Sequence, residues 1–283
     1  MGQKNTNVAN GKKIDNDVLY AYNYNRGVIM SDKIQERSNI VVKSNELIQE
    51  SKFSLTIQQQ KIVAYIISQI NPFDEDFKLY EFNIIKFCEV CGIDSRNGTI
   101  YKNLKKHIRE LSNKSMWIEK DNGVETLVRW IEKPYIDKEN GTIKIQIDSD
   151  LKPYLLQLTE NFTTYELGYT LNFSSKYSFR LYELIKSLHY NKLEEYKHRI
   201  EIETLKQRMD ATNYDNFKDF NRRALKPAIK EINTYSDTNI EYNSIYSGRK
   251  IIAIELILKI KSPADRLNNF ITIKNENEVV NNE

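Results

Sequence analysis

The sequence predicts an α+β chain, mainly helical, in which one supersecondary unit occurs twice in tandem. Three observations point there. The segments KNLKKHIRELSN (Lys102 to Asn113) and RALKPAIKEINT (Arg223 to Thr234) carry one basic amphipathic pattern at two places about 120 residues apart. Apolar positions in successive elements keep step: Ile62 with Leu181, Ile85 with Leu205, Leu104 with Leu225, and Ile118 with Ile240. Self-similarity at a nearly constant spacing is the mark of a duplication. Each half also closes on strand-forming residues around tight-turn signals, Asp121-Asn122-Gly123 and Asn140-Gly141 in the first, Ser247-Gly248-Arg249 in the second. At 283 residues the chain has room for two domains of about 100 to 150 residues each.

Residues 1–38 are polar and Asn-rich without a sustained period, and read as a flexible arm. Order begins near Asn39. Leu55 to Pro72 sets Ile62, Tyr65, Ile66 and Ile70 at helical spacing, with Thr56 as N-cap and Asn71-Pro72 as the stop. A short extended piece, LYEF, precedes a second helix, IIKFCEV, ended by Gly92. A third helix runs from about Thr99 to Asn113, and MWIEK, ETLVRWIEK and TIKIQI supply hairpin strands. Helix, strand, helix, helix and β-hairpin is the order of a winged helix.

The second half repeats it. Ser174 to Tyr190 is a helix that buries Phe179, Leu181, Tyr182, Leu184, Ile185 and Leu188. HRIEI, ETLKQRMDA, NFKDFNRRALKPAIKEINTY and the hairpin NIEYNSIY to KIIAIELILKI follow. The organisation expected is an arm at 1–38, a first winged helix at 39–158, a second at 159–261 and a polar, frayed tail at 262–283. The join falls near 155 to 172, around Pro153 and NFTTYELGYT.

Projected at 100° per residue, the first basic helix collects Ile100, Leu104, Ile108 and Leu111 on one side and Lys102, Lys105, Lys106 and Arg109 on the other. Its counterpart turns Phe217, Phe220, Ala224, Ala228 and Ile232 inward and Arg222, Arg223, Lys226 and Lys230 outward. A merely solvated face mixes both signs of charge. These two carry only Glu110 beside the first and Asp219 and Glu231 beside the second. The third helix of a winged helix enters the major groove, where Arg and Lys suit guanine and Asn suits adenine. Pro227 lacks an N–H, so a kink or a fresh helical start is expected there, leaving Asn221, Arg222 and Arg223 for base contact. Arg249 and Lys250 at the second wing turn suit phosphate contact, an ordinary exposed turn being the alternative. The first wing turn is not basic. His107 and His189 lie near apolar faces and read as structural.

Other function classes fit less well. The net charge of +3 is too small to announce a polyanion partner, so the distribution of charge carries that argument. Cys88 and Cys91, the two cysteines, form a lone CxxC without a second ligand pair; this reads as two small apolar residues on a buried helix face in a reducing compartment. No metal or other cofactor is expected. No apolar run approaches the roughly 18 residues of a membrane span, and MGQKNTNVANGKK holds no apolar block for a signal peptide, which favours the cytoplasm. There is no GxxxxGK[ST] phosphate loop, and His107, His189 and His198 are never two apart, as a nickase metal pair would require. Eighteen tyrosines without a metal or arginine clamp are a weak signal for nucleophilic chemistry. A binder rather than an enzyme is expected.

From about Asn39 to Lys261 the chain resembles the iteron-binding initiator proteins of theta-replicating plasmids. The resemblance rests on SNELIQESKFSLTIQQQKIVAYII, FTTYELGYTLNFSSKYSFRLYELIKS and FNRRALKPAIKEIN. It implies two winged helices bound to direct repeats of double-stranded DNA at a plasmid origin. The C-terminal one would dominate sequence readout through the helix at Phe217 to Tyr235. The N-terminal one would add backbone contacts and mediate homodimerisation. Monomers would open the origin for host replication proteins such as a helicase or initiator, and dimers would repress the protein's own gene. Two alternatives stay open: a transcription regulator acting only by operator occupancy, and a scaffold whose winged helices bind protein.

Overall fold

The computed structural model describes residues 8–9, 12–13, 39–94, 98–119, 123–189 and 195–266. The expected arm and most of the tail lie outside these, apart from a two-residue ladder of Val8–Ala9 with Lys12–Lys13; so does the Asp121-Asn122 part of the first turn. The chain divides into two compact units, Met1–Leu171 and Asn172–Glu283.

The first unit opens with strand β1 (Ile40–Ser44) and helix α1 (Asn45–Gln49), the Ser44 hydroxyl capping the helix by accepting from the Leu47 N–H. Helix α2 (Ile57–Ile67) starts at the Thr56 capping box: Thr56 Oγ1 accepts from Gln59 N, and Gln59 Oε1 accepts from Thr56 N. Strand β2 (Tyr80–Asn83) runs into helix α3 (Ile84–Cys91), which Gly92 closes in the left-handed region at φ 66° while Ile93 N–H donates to Cys88 O. Helix α4 (Ile100–Ser112) buries Leu104, Ile108 and Leu111. Strands β3 (Ser115–Glu119) and β4 (Glu125–Arg129) form one hairpin, and β5 (Lys133–Asp137) and β6 (Thr142–Gln146) a second. The second hairpin joins β2 in a sheet of order β2-β6-β5. Helix α5 (Lys152–Leu155), strand β7 (Phe162–Glu166) and helix α6 (Gly168–Leu171) complete the unit.

Strand β7 corrects the expected join at 158/159. It pairs antiparallel with β1 along its whole length, and Leu167 N–H donates to Asn39 O at 2.9 Å. Residues 159–171 are therefore held by the first unit.

In the second unit α7 (Lys176–Leu188) starts at Ser175, whose hydroxyl accepts from Tyr177 N. Strand β8 (Glu195–Glu201) leads into α8 (Ile202–Arg208). Then come α9 (Phe217–Phe220), a π-helical turn (Asn221–Leu225), α10 (Lys226–Tyr235), and the long wing strands β9 (Thr238–Ser247) and β10 (Lys250–Ile260). The sheet order is β8-β10-β9. As in the first unit, the last strand lies between the other two.

The repeat is real, but two of its sequence pairings shift. Ile85 is 61% exposed. The buried stripe of α3 is Ile84, Phe87, Cys88 and Cys91, and it falls on Ile202, Leu205, Lys206 and Met209, so the partner of Leu205 is Phe87. Even the cap repeats: Asp210, at φ 54°, stands where Gly92 does, and Ala211 N–H donates to Lys206 O. Ile118 belongs to the β3–β4 hairpin, which has no counterpart among the described residues of the second unit, so β5 and not β3 is the sheet counterpart of the strand bearing Ile240. Ile62 with Leu181 and Leu104 with Leu225 stand, all four buried in matching helices. Cys88 and Cys91 are buried, and burial pushes the Cys88 thiol up to about 11, far from the reactive thiolate.

Candidate nucleic-acid interface

The inner stripe of α4 pins the helix to its core, so the opposite face must meet solvent. Lys102, Lys105, Lys106 and Arg109 are all exposed there, and none forms an ion pair with another described residue. His107 is half-buried between them; burial lowers its pKa, with Glu110 acting against and Lys106 with that shift. The β5–β6 turn straps the start of this helix. Asp137 accepts from the backbone N–H groups of Glu139 and Asn140 and from Asn140 Nδ2, and Asn140 holds its carboxyl below the usual range. Tyr101 O–H donates to Lys138 O, and Lys138 Nζ lies 5.8 Å from the centre of the Tyr101 ring. Lys138 thus brings a cation to this face that the sequence pattern missed; the Asp137-to-Gly141 turn was its local signal.

The second third helix is broken, and Pro227 explains how. Proline offers no N–H, and its ring crowds the carbonyl four residues back, here that of Arg223. The chain answers with a wider turn: Lys226 N–H donates to Asn221 O, five residues back, and α geometry resumes at Lys226. This is the fresh start expected at Pro227. Phe220, Ala224, Leu225, Ala228 and Ile232 are buried. Arg222, Arg223, Lys226 and Lys230 are exposed.

Of the two acids near this face, Asp219 pairs with Arg222 and Glu231 is committed elsewhere. Asp219 accepts from Asn216 Nδ2 and, at 2.9 Å, from Arg222 Nη2, and both hold its carboxyl low. Glu231 turns to the start of α7, where its carboxylate accepts from the N–H groups of Ser174 and Ser175 and from the Ser174 hydroxyl. Arg223, Lys226 and Lys230 form no ion pair with a described residue. Asn221 sits at the margin, half-buried, its Oδ1 accepting from Tyr242 O–H at 2.8 Å.

The wing is stapled to this helix at its root. Asn233 exchanges two hydrogen bonds with the backbone of Ile240, and Lys261 Nζ donates to the carbonyls of Asn233 and Ser236. Asp237, beside that root, is buried with Lys186 Nζ at 2.8 Å and with donors from Tyr182 and Thr238. Burial alone would raise its pKa; the ion pair and these donors outweigh it and leave the carboxyl low. At the far end Gly248 turns the chain at φ 61°, and Arg249 and Lys250 stand exposed. The structure thus gathers the predicted cations of each third helix onto one face.

A family model for the WH1 part of initiator replication proteins matches residues 40–186, and the model for their WH2 part matches residues 201–258. The chain belongs to the initiator replication protein family. It is built, like the family, of two winged-helix domains. An Escherichia coli replication initiation protein is 29% identical over 209 residues, covering 71% of this chain and 64% of that protein; the chain thus spans less than two thirds of that relative. An uncharacterized 27.6 kDa protein of Escherichia coli is 23% identical over 238 residues, 79% of this chain and 97% of that one. The crystal structure of Pi initiator protein in complex with iteron DNA shares the fold of this initiator-family chain at TM-score 0.67 and 19% identity, over 80% of this chain and 99% of that one.

Proposed function

We propose that the protein initiates plasmid replication by binding directly repeated double-stranded DNA at an origin and helping to open it for host replication proteins, a helicase or initiator among them. The observation that carries this reading is the pair of third helices, each presenting four exposed cations that neighbouring acids leave largely uncompensated. Family membership and the iteron DNA bound by Pi initiator support the choice of ligand. In the second domain Asn221, Arg222 and Arg223 read base edges, Lys226 and Lys230 add charge along the groove, and Arg249 and Lys250 hold phosphates. In the first domain Lys102, Lys105, Lys106 and Arg109 hold the backbone. The protein acts by binding, not by catalysis, in the bacterial cytoplasm.

The first domain also mediates homodimerisation, which would repress the protein's own gene. The outer face of the β3–β4 hairpin supports this: Trp117 and Leu127 sit opposite one another, 59% and 49% exposed. Such an apolar pair, on a hairpin without a counterpart among the described residues of the second domain, suits self-association.

The test is footprinting and mobility shift on DNA flanking the gene. Protected direct repeats beside an AT-rich stretch are expected, whereas one inverted repeat would favour operator occupancy alone. Neutralising about six to ten phosphates implies that affinity falls about 10³- to 10⁵-fold between about 50 and 200 mM salt. A flat salt response rejects the proposal.

A further inference from the structure

We propose that Tyr242, on the wing strand, is a positioning residue that decides which base Asn221 can read; this rests on the DNA-binding function proposed above. Thr238, Ile240 and Tyr242 alternate along the inward face of β9. Tyr242 is half-buried, and its hydroxyl donates to Asn221 Oδ1 at 2.8 Å. The backbone of Asn221 is held as well, because its carbonyl accepts the Lys226 N–H that closes the π-helical turn. One residue at the edge of the cationic face is thereby fixed twice, once by its own helix and once by the wing.

The consequence is chemical. A free asparagine carboxamide matches adenine, accepting from N6 and donating to N7 together. With the oxygen turned inward to Tyr242, Asn221 keeps its Nδ2 hydrogens for the groove, and donors alone fit the acceptors of guanine or thymine. The wing strand thus selects among base pairs without touching them. Phenylalanine at 242 would keep the ring against the body and delete only the hydroxyl.

Selection from a duplex pool with a randomised core, using the full chain and its Tyr242→Phe, Asn221→Ala and doubly substituted forms, tests this. At the base pair where Asn221→Ala loses discrimination, Tyr242→Phe should shift preference toward adenine by about fivefold or more, the discrimination of one good bidentate contact. The salt dependence of binding should not change, since no phosphate contact is lost. The double variant should match Asn221→Ala. Uniform weakening by Tyr242→Phe, with base preference intact, overturns the proposal and leaves the DNA-binding function standing. Failure of the unaltered protein to select any sequence overturns both.

Discussion

The third helices of the two units descend from one pattern and have diverged in build. Helix α4 is a single unbroken run of 13 residues, three of its four outward cations are lysines, and no acid among the described residues bonds to them. Its counterpart is cut by a π-helical turn, leads with two arginines and an asparagine, and is tied to the wing through Tyr242 and Asn233. Lysine is a flexible point charge, suited to phosphate oxygens, whereas arginine's planar fork rewards fixed geometry. A straight lysine-rich rod held by one hydrophobic stripe fits sequence-independent attraction. A helix clamped on two sides fits readout of base edges, where a small misplacement of the fork costs the contact. The difference teaches that duplication preserved the fold while each copy's supports set what its cations can do.

The sharpest way to break the comparison is at the second unit's clamp. Asp237→Asn removes the buried carboxylate that pairs with half-buried Lys186, and losing one partner of a buried pair costs at most about 3–5 kcal/mol. Both tryptophans, Trp117 and Trp130, lie in the first unit. The denaturant midpoint followed by tryptophan fluorescence should therefore hold, while circular dichroism reports an early transition; equal shifts in both would refute a clamp confined to the second unit. Acid gives the same contrast. The Asp237 pKa is lowered by folding, so its contribution is present above the unfolded value of about 3.9 and lost as pH falls through the folded one. Acid unfolding should begin in the second unit of the native protein.

Next in size is the division of roles on DNA. Arg223→Ala should cost about 1–3 kcal/mol on the preferred sequence and relax base preference, whereas Lys105→Ala should weaken all sequences alike and reduce the salt slope by about one. Competition binding at several salt concentrations separates the two, and identical behaviour would erase the distinction drawn between the helices. The smallest expected effect on folding is at the β3–β4 hairpin. Trp117→Lys changes an exposed position and should move stability by no more than about 0.5 kcal/mol, yet sedimentation should show loss of self-association. Dimers that persist would remove the hairpin from the interface.

Much of this molecule was legible in its sequence because the signals are local. The Thr56 cap, the Gly92 stop, the Asn140-Gly141 turn and the apolar stripe of α4 each depend on residues within a turn or two of one another. Ile85 was misread because two adjacent isoleucines open α3 and only packing decides that Ile84 faces the core. Asp210 gave no warning of a glycine-like turn, since an aspartate adopts the left-handed region far less often than glycine. The β3–β4 hairpin looked like the wing because hairpin signals say that two strands pair but not which sheet they join.

What the chain determined by itself was its repeated order of elements and the cationic sides of its third helices, since both follow from the period of apolar residues along a helix. Tertiary structure alone decided three matters: that β7 returns to β1, that Glu231 leaves the cationic face to cap α7, and that Tyr242 takes hold of Asn221. Each joins groups far apart in sequence, and such a choice of partner is made by the packing of the whole unit rather than by any periodicity.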